Sequence, residues 1–363
     1  MMLRLPQNSI VFYCSAGLGN RMLALGAAIA LGQAINKRVY LYWPVNGFLE
    51  CRFGDLFENP TRFKVLSQNT VEHCPELLLC RPPQGQPSAP ADWLVWHPMP
   101  PHPHNHWVEL PGERGVNANT EQDIRASWRP LPAWRWRKPF RTLRGRTRRL
   151  ILRHYWGFDT VIGEVRRSYL NLSEADKLRA RQRIYINSSY HFFPAPSTAE
   201  QAWDHLVPIR SIRDEVDELA SRFSGTTIGV HIRRRDFVSH GWANRSPTEL
   251  FVRLMEDEIT RDDNVRFYVA TDSEQELTDL QCHFGNRIVT QPTTHRASRR
   301  SVDAIRAAVV DMYTLARTGK VIASAGSTFS YMAARIGQTE YRTVDMRYQN
   351  HEPEHTSRLE RAR

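Results

Sequence analysis

The residues with the clearest chemical potential form the string HIRRRD at positions 231–236, directly after an apolar strand pattern. Guanidinium groups make bidentate, charge-assisted hydrogen bonds to phosphate, and an arginine fixed at a strand end can stabilise a departing diphosphate. Arg233, Arg234 and Asp236 at such an edge therefore predict a phosphate-binding site. The alternative interpretation is a solvated charge run.

Three further places follow strand patterns, where ligands of doubly wound sheets bind. Glycines in the turn after the first strand allow close backbone approach, and hydroxyls at a helix start add donors for an anion. The alternatives are a tight turn and an ordinary helix cap. The candidates at these places are Gly17, Gly19, Asn20, Asp272, Ser327, Thr328 and Phe329. Asp311, beside the apolar face of a helix, is either a guanine-binding carboxylate or a capping or salt-bridged acid.

The elements that position these residues alternate along the chain. Residues 9–14 read as a buried strand, Leu18, Met22, Leu25 and Ile29 mark one face of a helix, and residues 39–43 read as the next strand. The second half predicts strands at 227–232, 266–270, 287–290 and 320–324, with a further possible strand at 184–187. Helices are predicted at 247–257, 273–284 and 328–336, the last capped by Ser327 and ended by Gly337, and along the face Val302, Ile305, Val309, Met312 and Ala316.

This alternation predicts an α/β fold of two Rossmann-like domains with doubly wound parallel sheets. We expect an N-terminal domain at 1–200, a linker within 193–208, a C-terminal domain at 201–345 and a charged tail at 346–363. A length of 363 residues suits two domains that share a cleft.

Composition predicts an intracellular, cytoplasmic protein. The sequence contains no run of about 20 apolar residues, the length that a membrane span needs. Residues 1–6 lack the pattern of a signal peptide. Five cysteines at irregular spacing, without a C-x-x-C pair, are expected to be reduced and structural.

The net charge of +11 is local, because eleven bases and no acid lie between Asp123 and Asp159. Around residues 135–156, arginines including Arg135 alternate with Trp134, Trp136 and Trp156. Such a segment, an insert near 125–158, suits a helix on the inner face of an anionic membrane, where the protein would meet a lipid-linked ligand. The other interpretation is a helix packed on the first domain. Single-stranded nucleic acid is a third, which we set aside.

Several cofactor motifs are missing from the sequence. It has no Asp-x-Asp, no G-x-x-x-x-G-K-[ST] phosphate loop and no third glycine after Gly17 and Gly19. Histidines at 97, 102, 104 and 106 lie among prolines and read as a loop. We therefore expect no metal and no cofactor, with arginine in the role of the cation.

Taken together, the GLGN turn, the HIRRRD string and the stretch from VDMY through STFS resemble the fucosyltransferase superfamily. This superfamily includes the α1,2-, α1,6- and protein O-fucosyltransferases and the rhizobial nodulation-factor enzymes, and its signature is His-x-Arg-Arg-x-Asp. All four fixed positions match. The resemblance covers residues 9–58 and 205–345, while the middle third has no counterpart.

The resemblance implies a GT-B fold, a GDP-fucose donor, inversion at the anomeric carbon and no metal requirement. It implies that Arg233 holds the β-phosphate, that His231 and Asp311 contact guanine, and that Ser327, Thr328 and Phe329 line the phosphates. Asn20 would face the donor from the other domain, and Arg234 would support the site through Asp236 or Asp272.

One departure leaves the acceptor-activating base open, because Gly241 stands where some members of the superfamily have glutamate. Asp236, His240, Glu50 and Asp55 are candidates, and a dissociative route in which the phosphate takes the proton is the alternative. We therefore expect the protein to be a fucosyltransferase that acts on a hydroxyl of a glycan or glycoconjugate. A transferase of another GDP-sugar, and a catalytically silent protein that binds GDP-sugar or an anionic surface, remain open.

Overall fold

A computed structural model of the chain describes residues 7–14, 16–45, 48–58, 60, 63–66, 160–162, 172–188, 192–193, 203, 205–223, 225–234, 243–292 and 301–346. The basic segment, the histidine tract, Asp236, His240 and the tail beyond 346 lie outside these residues. Within the described part, no helix has the length and apolar character needed to cross a bilayer.

The first sheet has five parallel strands in the order β3-β2-β1-β5-β4. They are β1 (Ser9–Tyr13), β2 (Arg38–Tyr42), β3 (Phe63–Leu66), β4 (Thr160–Ile162) and β5 (Arg183–Asn187). Helix α1 (Leu18–Ala34) connects β1 to β2, and α2 (Leu172–Arg179) precedes β5. The predicted βαβ opening is confirmed. Strand β1 is buried throughout, as expected of a central parallel strand.

The second sheet also has five parallel strands, in the order β10-β9-β6-β7-β8. They are β6 (Thr227–Ile232), β7 (Arg266–Thr271), β8 (Ile288–Val289), β9 (Lys320–Ser324) and β10 (Glu340–Val344). The strand order reverses between β6 and β9. In a doubly wound sheet this reversal is the ligand-binding crevice.

Five helices accompany the second sheet among the described residues: α3 (Arg210–Ala220), α4 (Thr248–Arg261), α5 (Glu274–Phe284), α6 (Val302–Leu315) and α7 (Thr328–Gly337). Two predictions need correction. Val302 is 38% exposed and lies off the buried face of α6. Helix α7 includes Gly337, and Gln338 takes the left-handed conformation at its end. A Cβ on Gly337 would lie 2.1 Å from the Ala316 carbonyl oxygen, so close packing explains this glycine.

One hydrophobic core runs through both halves of the molecule. It joins side chains of β1 and α1 to side chains of α3, α6 and α7. Trp203 lies between α1 and α7: its Nε1 donates to the Met22 carbonyl at 3.1 Å, and the Arg335 Cζ lies 5.6 Å from the ring centroid. The Arg306 Nε donates to the Asp55 carbonyl at 3.1 Å, which joins α6 to the loop after β2. Gly19, after β1, packs against the backbone of Thr328 and Phe329, after β9, so the carboxyl edges of the two sheets face each other. The predicted domain boundary at 200 stays a prediction.

Candidate functional site

His231 lies in β6 at the crevice of the second sheet and is 7% exposed. Burial, and secondarily the positive charge of Arg233, lower the pKa of His231 to about 3. The imidazole is therefore neutral at physiological pH. Its ring stacks on Phe329 with centroids 4.9 Å apart, and the Ser327 Oγ lies 3.5 Å from Nδ1.

Arg233 is the first residue after β6, at the point where the strand order of the second sheet reverses. Its backbone N–H donates to the Oγ of Ser324 at 3.0 Å. Ser324 is the last residue of β9 and is fully buried, so this bond ties the two strands that border the crevice. Arg233 is partly buried and directly follows β6, at the carboxyl edge of the second sheet.

Arg234 is held almost entirely by protein groups. Its backbone N–H donates to Asp272 Oδ1 at 2.7 Å, and its Nε donates to Glu276 Oε1 at 2.5 Å. The two remaining guanidinium nitrogens donate to the Ser246 carbonyl at 2.9 Å and to Thr248 Oγ1 at 3.0 Å. This side chain therefore braces the strand end next to Arg233. Asp272 does so through the backbone of Arg234.

A second layer of support comes from residues that the sequence analysis does not identify. Ser246 is fully buried, and its hydroxyl donates to the Val344 carbonyl at 2.5 Å and accepts from the Ala325 N–H at 2.9 Å. Arg245 forms an ion pair with Asp345, which is 6% exposed. Asp345 follows β10 directly, but the mostly exposed sequence EYRTV of β10 gives no strand pattern that would have indicated it.

The amino end of α7 adjoins this site. Ser327 occupies the cap position but makes no side-chain cap hydrogen bond, because its hydroxyl lies beside His231. The first turn of α7 contains no acidic residue. Such a helix start, with its positive dipole end, suits an anion.

The first domain closes the site through the turn that opens α1. A Cβ on Gly19 would lie 2.9 Å from both the Phe329 nitrogen and the Thr328 carbonyl carbon, so Gly19 approaches protein backbone. A Cβ on Gly17 would meet nothing within 4 Å. Asn20 follows, and its buried Oδ1 has no hydrogen-bond donor among the described residues. The structure thus brings the turn that precedes Asn20 beside the backbone of Thr328 and Phe329.

Two acids that the sequence predicts for the site, Asp311 and Asp55, lie on different elements of the structure. Asp311 on α6 accepts a 2.6 Å hydrogen bond from the hydroxyl of buried Tyr268, which shares a face of the second sheet with His231. Asp55, after β2, accepts from the Arg52 N–H at 3.1 Å. Burial and the neighbouring Asp55 raise the pKa of Cys51 to about 12, so this thiol stays protonated. Among described residues, no three His, Cys, Asp or Glu side chains gather as a metal-binding group.

Comparison with known proteins identifies the fold. No family model and no curated protein sequence matches the chain. Among solved structures, a mutant of Arabidopsis thaliana FUT1 in complex with GDP has a TM-score of 0.51 at 11% identity, covering 92% of this chain and 70% of that one. The fucosyltransferase NodZ from Bradyrhizobium has a TM-score of 0.48 at 18% identity, covering 90% and 92%. POFUT1 in complex with GDP-fucose has a TM-score of 0.46 at 12% identity, covering 95% and 99%. The predicted GT-B architecture of two parallel sheets is confirmed, and the chain shares the fold of the FUT1 structure.

Proposed function

We propose that this protein is a glycosyltransferase that moves fucose from GDP-fucose to a hydroxyl of a glycan or glycoconjugate, with inversion and without a metal. The observation that carries the proposal is the position of Arg233 at the strand-order reversal, beside neutral His231 and the start of α7. These groups supply a cation, an aromatic and imidazole surface, and helix N–H groups at one place.

In this proposal Arg233 binds the β-phosphate and stabilises the charge that builds on GDP as the glycosidic bond breaks. A preorganised cation at a developing charge contributes more than one that must reorient. Its anchored backbone and the brace at Arg234 support that role. Thr328 and Phe329 would line the diphosphate together with Ser327.

Guanine recognition is assigned to His231 and Asp311. A neutral imidazole offers one donor and one acceptor to a base, and a carboxylate accepts paired N–H groups. Both residues lie toward the face of the second sheet that α6 covers, which supports a shared pocket.

The acceptor hydroxyl loses its proton either to a carboxylate or to the departing phosphate. Asp55 is a described candidate at the domain junction, because its own carbonyl accepts from Arg306 of the second domain. Glu50, Asp236 and His240 complete the set. The membrane contact through residues 135–156, and a lipid-linked acceptor, stay predictions.

The test is thermal stability with GDP, GDP-fucose, GDP-mannose, UDP-glucose and ATP, for the wild type and for Arg233→Ala. We expect selective stabilisation by GDP and GDP-fucose that the variant loses. Arg317→Ala is the matched control, since Arg317 is a 59% exposed partner of Asp217. No response to any guanine nucleotide would overturn the proposal.

Turnover separates an enzyme from a silent binder. We expect GDP release from GDP-fucose, with a rate about 100- to 1,000-fold lower in Arg233→Ala. Stabilisation by GDP without GDP release, across a panel of saccharide acceptors, would instead establish a binding protein. Stronger stabilisation and turnover with GDP-mannose would indicate another GDP-sugar.

A further inference from the structure

A buried amide at the end of β5 has no role in the site described so far. Asn187 is 2% exposed, and its Nδ2 has no hydrogen-bond partner among the described residues. A buried N–H donor without a partner destabilises the folded state, so native proteins rarely keep one without a use.

The location of Asn187 points to the cleft. Strand β5 pairs in parallel with β1, with Tyr13 opposite Asn187, so both residues end their strands at the carboxyl edge of the first sheet. That edge faces the second domain, because the turn after β1 contacts the backbone of Phe329. Asn20, with its own unpartnered Oδ1, follows the same edge.

The second sheet offers a direct contrast. Ser324 is also a buried polar residue at the end of a strand, but its hydroxyl accepts from the Arg233 N–H. The polar group that ends β9 is therefore satisfied by protein, whereas the Nδ2 of Asn187 is not satisfied by any described residue. A strand-end donor of this kind is suited to a ligand.

Resting on the proposed function, we propose that Asn187 donates a hydrogen bond to a sugar oxygen bound in the cleft. A neutral amide matches a hydroxyl or ether oxygen, while the phosphates are matched by the arginine of the opposite edge. The sugar has two sources: the fucosyl ring of the donor and the saccharide acceptor. Asn187 is in this view a positioning and specificity residue of the transfer.

The experiment compares Asn187→Leu with Thr314→Val. Thr314 is a matched control, because its Oγ1 is also buried and without a partner among the described residues, but it lies in the last turn of α6, away from the strand ends. Each variant removes a buried polar group that lacks a hydrogen-bond partner, so we expect each to raise Tm by about 2 °C. Asn187→Ala replaces the leucine variant if leucine does not fit.

The functional readouts identify the source of the sugar. We measure the Kd of GDP and of GDP-fucose, and the KM of saccharide probes that include N-acetylglucosamine, galactose and their oligosaccharides. A loss of roughly tenfold in GDP-fucose affinity with GDP affinity unchanged assigns Asn187 to the fucosyl ring. A tenfold rise in saccharide KM with both nucleotides unaffected assigns it to the acceptor. Thr314→Val leaves all three values unchanged.

Other outcomes overturn the proposal. Unchanged Kd and KM in Asn187→Leu would show that the amide serves no sugar. A drop in Tm comparable to a lost hydrogen bond, seen in the leucine and alanine variants, would show that Nδ2 has a structural partner. If the wild type itself fails to bind GDP-fucose, the proposed function fails first and this proposal with it.

Discussion

The two sheet edges that face each other differ in how their polar groups are satisfied. At the edge of the second sheet, Arg234 alone contacts Asp272, Glu276, Ser246 and Thr248. At the edge of the first sheet, Asn20 and Asn187 each keep a buried polar atom without a partner among the described residues. The difference suggests that the second edge is preorganised for one constant ligand, whereas the first is completed only when a substrate binds.

The largest expected effect comes from a variant that disrupts the carboxyl edge of the second sheet. Arg234 and Glu276 form an ion pair with side chains 12% and 14% exposed. Arg234→Met leaves that carboxylate partly buried without its cation, so we expect a loss of about 3–5 kcal/mol in the free energy of unfolding. Urea unfolding measures it. The double variant Arg234→Met, Glu276→Met should recover part of the loss, and no recovery would contradict the pairing.

The next effect lies where the two edges meet. A methyl group at Gly19 would clash with the Thr328 and Phe329 backbone, and backbone cannot yield by changing rotamer. We expect Gly19→Ala to cost about 1–3 kcal/mol and to weaken GDP binding, since α7 must move. Thermal melts with and without GDP measure both effects.

The matched control for that variant is Gly17→Ser in the same turn. Position 17 has open space and a φ of −65°, and serine is a favourable N-cap residue. Its stability should remain within about 0.5 kcal/mol of the wild type. Equal losses in both variants would show that the turn tolerates no change, whatever the packing.

Over a single pH unit, a smaller effect follows from the pKa of His231, which lies below its ordinary value of 6.5, at about 3. The unfolded chain then takes up the proton first, so stability falls as the pH drops from 6.5 toward 3. The loss is about 1.4 kcal/mol per pH unit in that window. His231→Gln should remove this part of the pH dependence of urea unfolding. An unchanged slope in the variant would place the titration elsewhere.

The smallest expected effect distinguishes a serine hydroxyl that binds a ligand from one that caps a helix. Ser301 caps α6 by accepting from the Ala304 N–H, whereas Ser327 makes no such bond to α7. We expect Ser301→Ala to cost about 1 kcal/mol and Ser327→Ala less than about 0.5 kcal/mol. Ser327→Ala should nevertheless weaken GDP binding. Equal stability costs would mean that Ser327 is an ordinary cap.

Much of this architecture is visible in the sequence because its central strands are continuous apolar runs. Strands β1, β6 and β9 lie where their patterns predict. Strand β10 has no such run: its sequence EYRTV is mostly polar and mostly exposed. It therefore has no strand prediction from the sequence. Helix α3 is likewise unassigned, although Ile212, Val216 and Leu219 recur at helical spacing among charged residues.

The site is predictable only in part for a related reason. Polar residues at the end of a strand pattern or just after it can be selected from the sequence, and they include His231, Arg233 and Asn20. Their supports come from far along the chain: Glu276 lies 42 residues from Arg234, and Asp345 lies 100 residues from Arg245. No local pattern predicts such pairs, because tertiary packing alone brings them together.

The tryptophan between α1 and α7 has an evolutionary consequence. A Cβ at Gly26 would lie 2.6 Å from the Trp203 Nε1, so the glycine and the indole can change only together. Arg335 covers the same ring from the other domain. The half of the molecule that carries the arginine site is therefore not an exchangeable module. A chimera with a relative should fold only if α1, Trp203 and α7 come from the same parent.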